Sequence, residues 1–292
     1  MENLCGLLNL NKPAGVTSRD VVDAALRAVR PAKAGHAGTL DPLATGVLVV
    51  CVGSATRLVR YVQEKPKRYT GTFLLGRSSP TEDVEGDVTE LRHAPVPSGD
   101  QLDEAAKALT GEILQRPPAF SAKKVLGKRA YALARLGKQV RLKPQRVTVH
   151  HLAVARYEYP ELVLDIECSS GTYVRSLGRD LAVWVGTSAV MAALVRTAIG
   201  PFRLPDAVLP DELTPESVAG RLLPPLWAVD DLPQVRLEDE ALRAVRRGTA
   251  IPCPPGLPQA AEYAGVDPYG RLVAILIPRS RDRLGPALNL HV

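Results

Sequence analysis

Gly35-His-Ala-Gly-Thr-Leu-Asp-Pro-Leu-Ala-Thr-Gly46 runs straight into Val47-Leu-Val-Val-Cys-Val52. Three glycines and a proline in twelve residues describe a loop with positive φ angles or a close backbone approach. The six residues after it are an apolar run of strand length. The loop holds one carboxylate, Asp41, and one histidine, His36. Asp before Pro is a common turn initiator, so a purely structural role competes with a functional one. Loops carried on a rigid scaffold are nevertheless where catalytic groups concentrate.

Upstream of this loop, Ser18 reads as an N-cap. Val22, Ala25, Leu26 and Val29 follow at helical spacing, and Pro31 ends the helix. Downstream, Tyr69 to Leu75 alternates as a strand, while Gln101 to Leu109, closed by Gly111, is an amphipathic helix. A further helix is predicted from Lys128 to Leu136, closed by Gly137. Val147 to Val154 and Leu162 to Cys168 read as two strands, Arg175 to Val185 and Ser188 to Val195 as two successive helices. Helices and strands interleave without a regular βαβ period, which predicts an α+β fold with a mixed or antiparallel sheet flanked by helices.

Eleven prolines between Pro201 and Pro258 predict an extended stretch and a domain boundary. Beyond it lie a helix at Glu238 to Arg247 and strands at Glu262 to Val266, Arg271 to Ile277 and Ala287 to Val292. The expected division is a main domain over 1–229 and a small β-rich domain over 230–292.

Of the 292 residues 46% are hydrophobic, but only 4% are aromatic, so the core must rest on Val, Leu and Ala. No apolar run approaches the roughly 20 residues of a membrane span. The first eleven residues lack the charged and apolar regions of a secretory signal, so a cytoplasmic protein is expected. The four cysteines, Cys5, Cys51, Cys168 and Cys253, lie far apart without a C-x-x-C pair. They read as small buried apolar residues in a reducing compartment, and no metal is expected. The formal net charge is +6. Its distribution says more: ten Lys or Arg and no acidic residue fall between Arg116 and Arg146. A solvated face normally mixes signs. A run of one sign repels itself unless a polyanion lies against it, which points to nucleic acid.

Cys168-Ser-Ser-Gly-Thr-Tyr-Val-Arg175 closes a strand and opens a helix. Arg175 falls on the first helical turn, where the dipole disfavours a cation. Such a cation either points back into water or has a partner, for which a carboxylate is the natural choice.

Together these segments resemble the TruB family, the bacterial tRNA pseudouridine-55 synthases. The loop around Asp41 is similar to the family's catalytic motif. Leu10-Asn-Lys-Pro-Ala-Gly-Val-Thr-Ser18 is similar to its N-terminal motif, and Lys67-Arg-Tyr-Thr70 to the segment with its active-site tyrosine. Pro117-Pro-Ala-Phe-Ser-Ala-Lys123, Gly127 and Tyr131-Ala-Leu-Ala-Arg135 resemble its substrate-facing segment. Cys168 to Arg175 resembles its strand-to-helix motif, and Leu194-Val-Arg196 a later helix end. The matches stand in family order across most of residues 4 to 200.

The resemblance implies a pseudouridine synthase-like catalytic domain with a PUA-like RNA-binding domain after it. It assigns Asp41 as the catalytic aspartate, Tyr69 as the tyrosine that stacks on the target base and Arg175 as the aspartate's partner. Tyr173 would line the pocket, with Leu194 also at the substrate. Lys12 and Pro13 would buttress the loop, and His36 would contact RNA near the flipped nucleotide. Asp83 falls at the family's Thr-x-x-Asp position, although Ser78-Ser-Pro80 departs from the usual residues before it. Lys123, Lys124, Lys128 and Arg129 are expected to meet phosphates. The implied partner is the T stem-loop of tRNA, modified by a monomer without a cofactor or an obligate protein partner. Assistance to tRNA folding is compatible with the same features.

Three rival readings differ in testable ways. A glycosidase needs two carboxyl groups across the bond, and only Asp41 stands in a loop of the right kind. A non-catalytic RNA-binding protein or tRNA chaperone would use the basic segment equally well but has no use for an Asp–Arg pair. A guide-dependent relative would be expected to carry longer basic tails.

Overall fold

The computed structural model describes residues 4–120, 124–125, 128–129 and 142–290. The first part of the chain forms β1 (Gly6–Lys12), α1 (Ser18–Val29), β2 (Ala34–His36), β3 (Thr45–Val52), α2 (Val59–Glu64), β4 (Lys67–Leu75), β5 (Arg77–Ser78), β6 (Thr89–Glu90), α3 (Gly99–Ala108) and β7 (Gly111–Gln115). There follow β8 (Lys124–Val125), β9 (Lys128–Arg129), β10 (Gln145–Glu158), β11 (Glu161–Cys168), α4 (Val174–Trp184), β12 (Ala189–Ile199) and β13 (Phe202–Arg203). The C-terminal part contains β14 (Gln234–Arg236), α5 (Asp239–Arg246), β15 (Ile251–Pro252), β16 (Tyr263–Val266), β17 (Leu272–Ser280) and β18 (Arg283–Asn289). The mixed α and β content with a β-rich C-terminal part agrees with the expected class.

Two compact units result, and neither is continuous in sequence. One comprises Met1–Asp41, Val47–Gln63 and Pro201–Val292, the other Pro42–Gly46 and Glu64–Gly200. The stretch predicted as one domain over 1–229 therefore contributes to both.

In the first unit, α1 buries Val21, Val22, Ala25 and Val29 against Leu8 and Leu10 of β1 and Leu48, Val50 and Val52 of β3. Its cap is Thr17, not Ser18: the Thr17 hydroxyl accepts from the Asp20 amide while the Asp20 carboxylate accepts from the Thr17 amide. Ser18 instead points inward. Residues 234–289 form a separate five-stranded sheet, ordered β14-β16-β17-β18-β15. Its core of Val235, Leu237, Val245, Ile251, Tyr263, Val273, Leu276 and Leu284 is covered by α5.

The second unit is built on an antiparallel run β12-β4-β11-β10-β7. Thr45 and Gly46, the first residues of β3, pair in parallel with Val195 and Arg196. Ser188 to Val195 was expected to be helical but lies in β12. Its almost continuous apolar sequence carries no period that separates a buried strand from a buried helix. Pairing with β4 decides the matter. For the same reason Leu194-Val-Arg196 is a strand segment and not a helix end. The helix expected from Lys128 begins instead as a strand, since Lys128–Arg129 pairs with Lys124–Val125; the rest of that expectation lies outside the described residues. Among the described residues no helix is long and apolar enough to cross a membrane. Cys51 and Cys168 are buried as expected, whereas Cys5 and Cys253 are half-exposed.

Helix α4 lies close to β4 because residue 178 is glycine. A Cβ there would meet three ring carbons of the fully buried Phe73 at 2.0 to 2.6 Å. Gly178→Ala should therefore destabilise the protein by about 1–3 kcal/mol, the usual cost of overpacking a core. Denaturant unfolding checks this, and an unchanged midpoint would mean that the helix shifts away at no cost.

Candidate active site

The loop that carries Asp41 is held at both ends. Before it, β2 pairs antiparallel with β3, placing His36 opposite Val50, and the Ala37 amide donates to the Val49 carbonyl at 2.9 Å. The buried Ser18 hydroxyl accepts from the Leu40 amide at 2.9 Å and reaches the Leu40 carbonyl at 3.2 Å. The residue immediately before Asp41 is thus fixed by a side chain from the start of α1. Asp41 itself is half-buried. Lys12, at the end of β1, is fully buried and donates to the Pro13 carbonyl at 2.9 Å. At the far end of the loop Gly46 has φ +99°, and a Cβ there would lie 2.3 Å from the Arg196 carbonyl oxygen. Only glycine fits.

Tyr69 belongs to the other unit. It stands on β4 opposite Ile166 of β11 and Arg196 of β12, on the face that also holds Lys67. Leu194 is buried opposite Gly71 on the same face. Two buried cations flank the tyrosine, and sequence reading assigned a role to neither. Arg196 is 1% exposed. Lys67 donates to the Lys65 carbonyl at 2.6 Å. Burial, reinforced by the positive charge of Arg196, pulls the Lys67 ammonium down to about 8. Lys67 stands two residues before Tyr69, so strand alternation carried a signal for it, whereas Arg196 follows an apolar run without a strand period and carried none.

Tyr173 is the N-cap of α4. Its own side chain does not cap; instead the buried Gln115 side chain accepts from the Tyr173 amide at 2.8 Å and donates to its carbonyl at 3.0 Å. Arg175 on the first turn is buried, as a cation with a partner can be. It meets the carboxylate of Asp83: one guanidinium nitrogen lies 3.2 Å from Asp83 Oδ2 and 2.7 Å from the Thr81 carbonyl. The other donates to the Phe120 carbonyl at 3.0 Å. Asp83 is only 3% exposed. Its Oδ1 accepts from the Thr81 hydroxyl at 2.5 Å and from the Glu85 amide at 3.2 Å. A buried ion pair with its remaining positions satisfied holds one geometry, and loss of either partner strands a charge.

The structure therefore brings Arg175 and Asp83 into contact and places Tyr69, Leu194, Lys67 and Arg196 on one sheet face. Of the basic residues, Lys124, Lys128 and Arg129 fall on the β8–β9 ladder, and Lys123 lies outside the described residues. Among the described residues no group of three His, Cys, Asp or Glu is placed to hold a metal ion.

Comparison with known proteins adds a relationship to this geometry. A family model for the N-terminal domain of TruB family pseudouridylate synthases matches residues 26–174. The chain is 42% identical to a tRNA pseudouridine synthase B of Corynebacterium aurimucosum, covering 93% of this chain and 91% of the relative. Its identity to the tRNA pseudouridine synthase B of Thermobifida fusca is also 42%, with 94% and 95% covered. Among solved structures, a chain of a Cbf5–Nop10–Gar1 complex superposes with a TM-score of 0.74 at 26% identity, covering 98% of this chain and 84% of that one.

The lowered Lys67 pKa has a consequence for stability. Between about pH 8 and the ordinary lysine value of 10.5, the unfolded chain keeps a proton that folded Lys67 has released. Unfolding free energy then rises with pH across that window, at up to about 1.4 kcal/mol per unit, and the cost of the buried charge is fully present below it. Denaturation of the wild type and Lys67→Met at pH 7 to 10 should show the difference between them moving in favour of the wild type above about pH 8. A constant difference would place the ammonium in water.

Proposed function

Because the chain belongs to the TruB family of pseudouridylate synthases, we propose that it converts uridine 55 in the T loop of tRNA to pseudouridine, with Asp41 as the catalytic carboxylate. The observation that carries this reading is identity above 40% along more than nine-tenths of the chain to tRNA pseudouridine synthases B. The Asp41 loop supports it, being fastened at Leu40 by Ser18 and shaped by glycine at Gly46. Residues 1–229 supply the catalytic part, and 230–292 a PUA-like RNA-binding domain. The protein acts in the cytoplasm as a monomer without an obligate protein partner.

The target base lies inside the RNA fold and is flipped out, at a cost of a few kcal/mol. Stacking on Tyr69 recovers about 1–3 kcal/mol of this. Tyr173, Leu194 and His36 line the path of the extruded nucleotide, and Lys12 supports the loop. Asp41 reacts as the carboxylate by one of three routes: attack at C6 of uracil, attack at C1′, or removal of the 2′ hydrogen to give a glycal. In each the N1–C1′ bond breaks, the base turns and C5–C1′ forms. C5 loses its proton and N1 gains one, so atoms and electrons balance within one nucleotide without a cofactor. Arg175, whose orientation Asp83 fixes, supplies the cation that the family pattern assigns to the charge of the aspartate.

Pseudouridine mapping of tRNA after incubation with the purified protein tests the proposal. Asp41→Asn should bind tRNA normally and lose essentially all turnover, because an amide neither attacks nor accepts a proton. Turnover within about tenfold of wild type, some 1.4 kcal/mol of barrier, would remove Asp41 from this role.

The segment from Arg116 to Arg146 should meet the RNA backbone. Replacing Lys123, Lys124, Lys128 and Arg129 by Ala should weaken tRNA binding and flatten its salt dependence. Each lost phosphate contact should reduce the slope of log affinity against log salt by about 0.7 to 0.9. Equal slopes for the two proteins would exclude these four residues from the interface.

A further inference from the structure

Two arginines one turn apart on α4 grip the same two segments of chain. Arg175 binds Asp83 and the Thr81 carbonyl with one nitrogen and the Phe120 carbonyl with the other. Arg179 pairs through one nitrogen with the Glu82 carboxylate. Its other terminal nitrogen donates to the Arg116 carbonyl at 2.9 Å and to Asp180 at 2.8 Å. The second Glu82 oxygen accepts from the Ser176 hydroxyl at 2.9 Å. Three side chains of one helix thus hold the loop that carries Asp83, and two of them also hold the start of the basic segment through its backbone.

Glu82 itself has φ +63°. A residue with a Cβ is rarely found there, and glycine would adopt the conformation without strain. The Glu82 backbone has its own fastening, since the Met191 amide donates to its carbonyl at 3.0 Å. What glycine would lack is the carboxylate that meets Ser176 and Arg179. Strain of this kind persists where the surroundings over-determine it, and it accompanies function.

We propose that Glu82 and Arg179 are positioning residues for pseudouridylation. They lock the Asp83 loop and the mouth of the basic segment onto α4, so that RNA seated on that segment meets Arg175 in one orientation. The inference rests on the functional reading above, in which Arg175 serves the reaction. It predicts an effect on the chemical step and not on affinity, because neither side chain is assigned to the RNA.

The test compares wild type, Glu82→Gly, Arg179→Gln and Arg179→Lys by single-turnover pseudouridine formation at saturating tRNA, by tRNA affinity, by thermal melting and by hydrogen exchange. Glu82→Gly relieves the backbone strain and should melt close to wild type. Its single-turnover rate should fall by about tenfold to a hundredfold, the range expected when a catalytic group moves by an ångström. Affinity should stay within about twofold, the signature of an interaction felt in the chemical step. Arg179→Gln should behave alike, while Arg179→Lys, which keeps the charge for Glu82, should recover part of the loss. Amides in 79–84 and 116–120 should exchange faster in Glu82→Gly, a readout that needs no turnover. Single-turnover rates within about twofold of wild type, a loss confined to affinity, or unchanged exchange in both segments would overturn the proposal. Wild-type protein that makes no pseudouridine would instead overturn the functional reading, and the exchange measurement would still decide this one.

Discussion

A guanidinium buried on the first turn of a helix is the constraint from which the second unit follows. The helix dipole opposes Arg175 there, and burial would add a desolvation cost of several kcal/mol if it lacked partners. Asp83 and the carbonyls of Thr81 and Phe120 meet that cost together. To satisfy them, the loop after β5 and the strand end after β7 must both come to α4. The Gln115 clamp on Tyr173 and the glycine at 178 serve the same end. One sets where the helix begins, the other how near it lies to β4.

A second economy operates in the other unit. Ser18 sits where a cap is expected, yet the capping is done by Thr17 and the serine hydroxyl is spent on Leu40. Two adjacent hydroxyl residues divide two tasks, starting a helix and tethering the residue before Asp41. A tether through a backbone amide fixes the residue before Asp41 without drawing on the Asp41 carboxylate. That suits a carboxylate proposed to react.

Buried cations recur through the molecule: Lys12, Lys67, Arg175 and Arg196 are all shielded from water. Each is costly in isolation, and for Lys67 the cost is visible as a pKa pulled down to about 8. An interior that keeps such charges is poorly optimised for stability alone. It is suited to an anionic substrate, for which positive charge in a dry setting acts more strongly than in water. The pairing of β4 with β12 sets Arg196 opposite Tyr69 and Leu194 opposite Gly71, so that one register decides much of the character of that face.

The amino-acid sequence determined by itself the features that depend on local physics. Glycine spacing marked the Asp41 loop, and alternation marked the strand from Tyr69 to Leu75. The opposition between Arg175 and its helix dipole left two readings, a partner or open water. The ten unopposed positive charges pointed to a polyanion. Periodicity also found α1, α3, α4 and the β-rich C-terminal module. Only the tertiary structure decided that Ala189–Ile199 is a strand, that Arg196 is buried beside Tyr69, and that Asp83 meets Arg175. The reason is distance along the chain. Asp83 lies 92 residues before Arg175, and nothing local to either residue states which of the chain's 31 acidic residues would arrive at that helix. A run of small apolar residues likewise forms a strand or a helix according to the neighbour that covers it, and that neighbour is chosen by the whole fold.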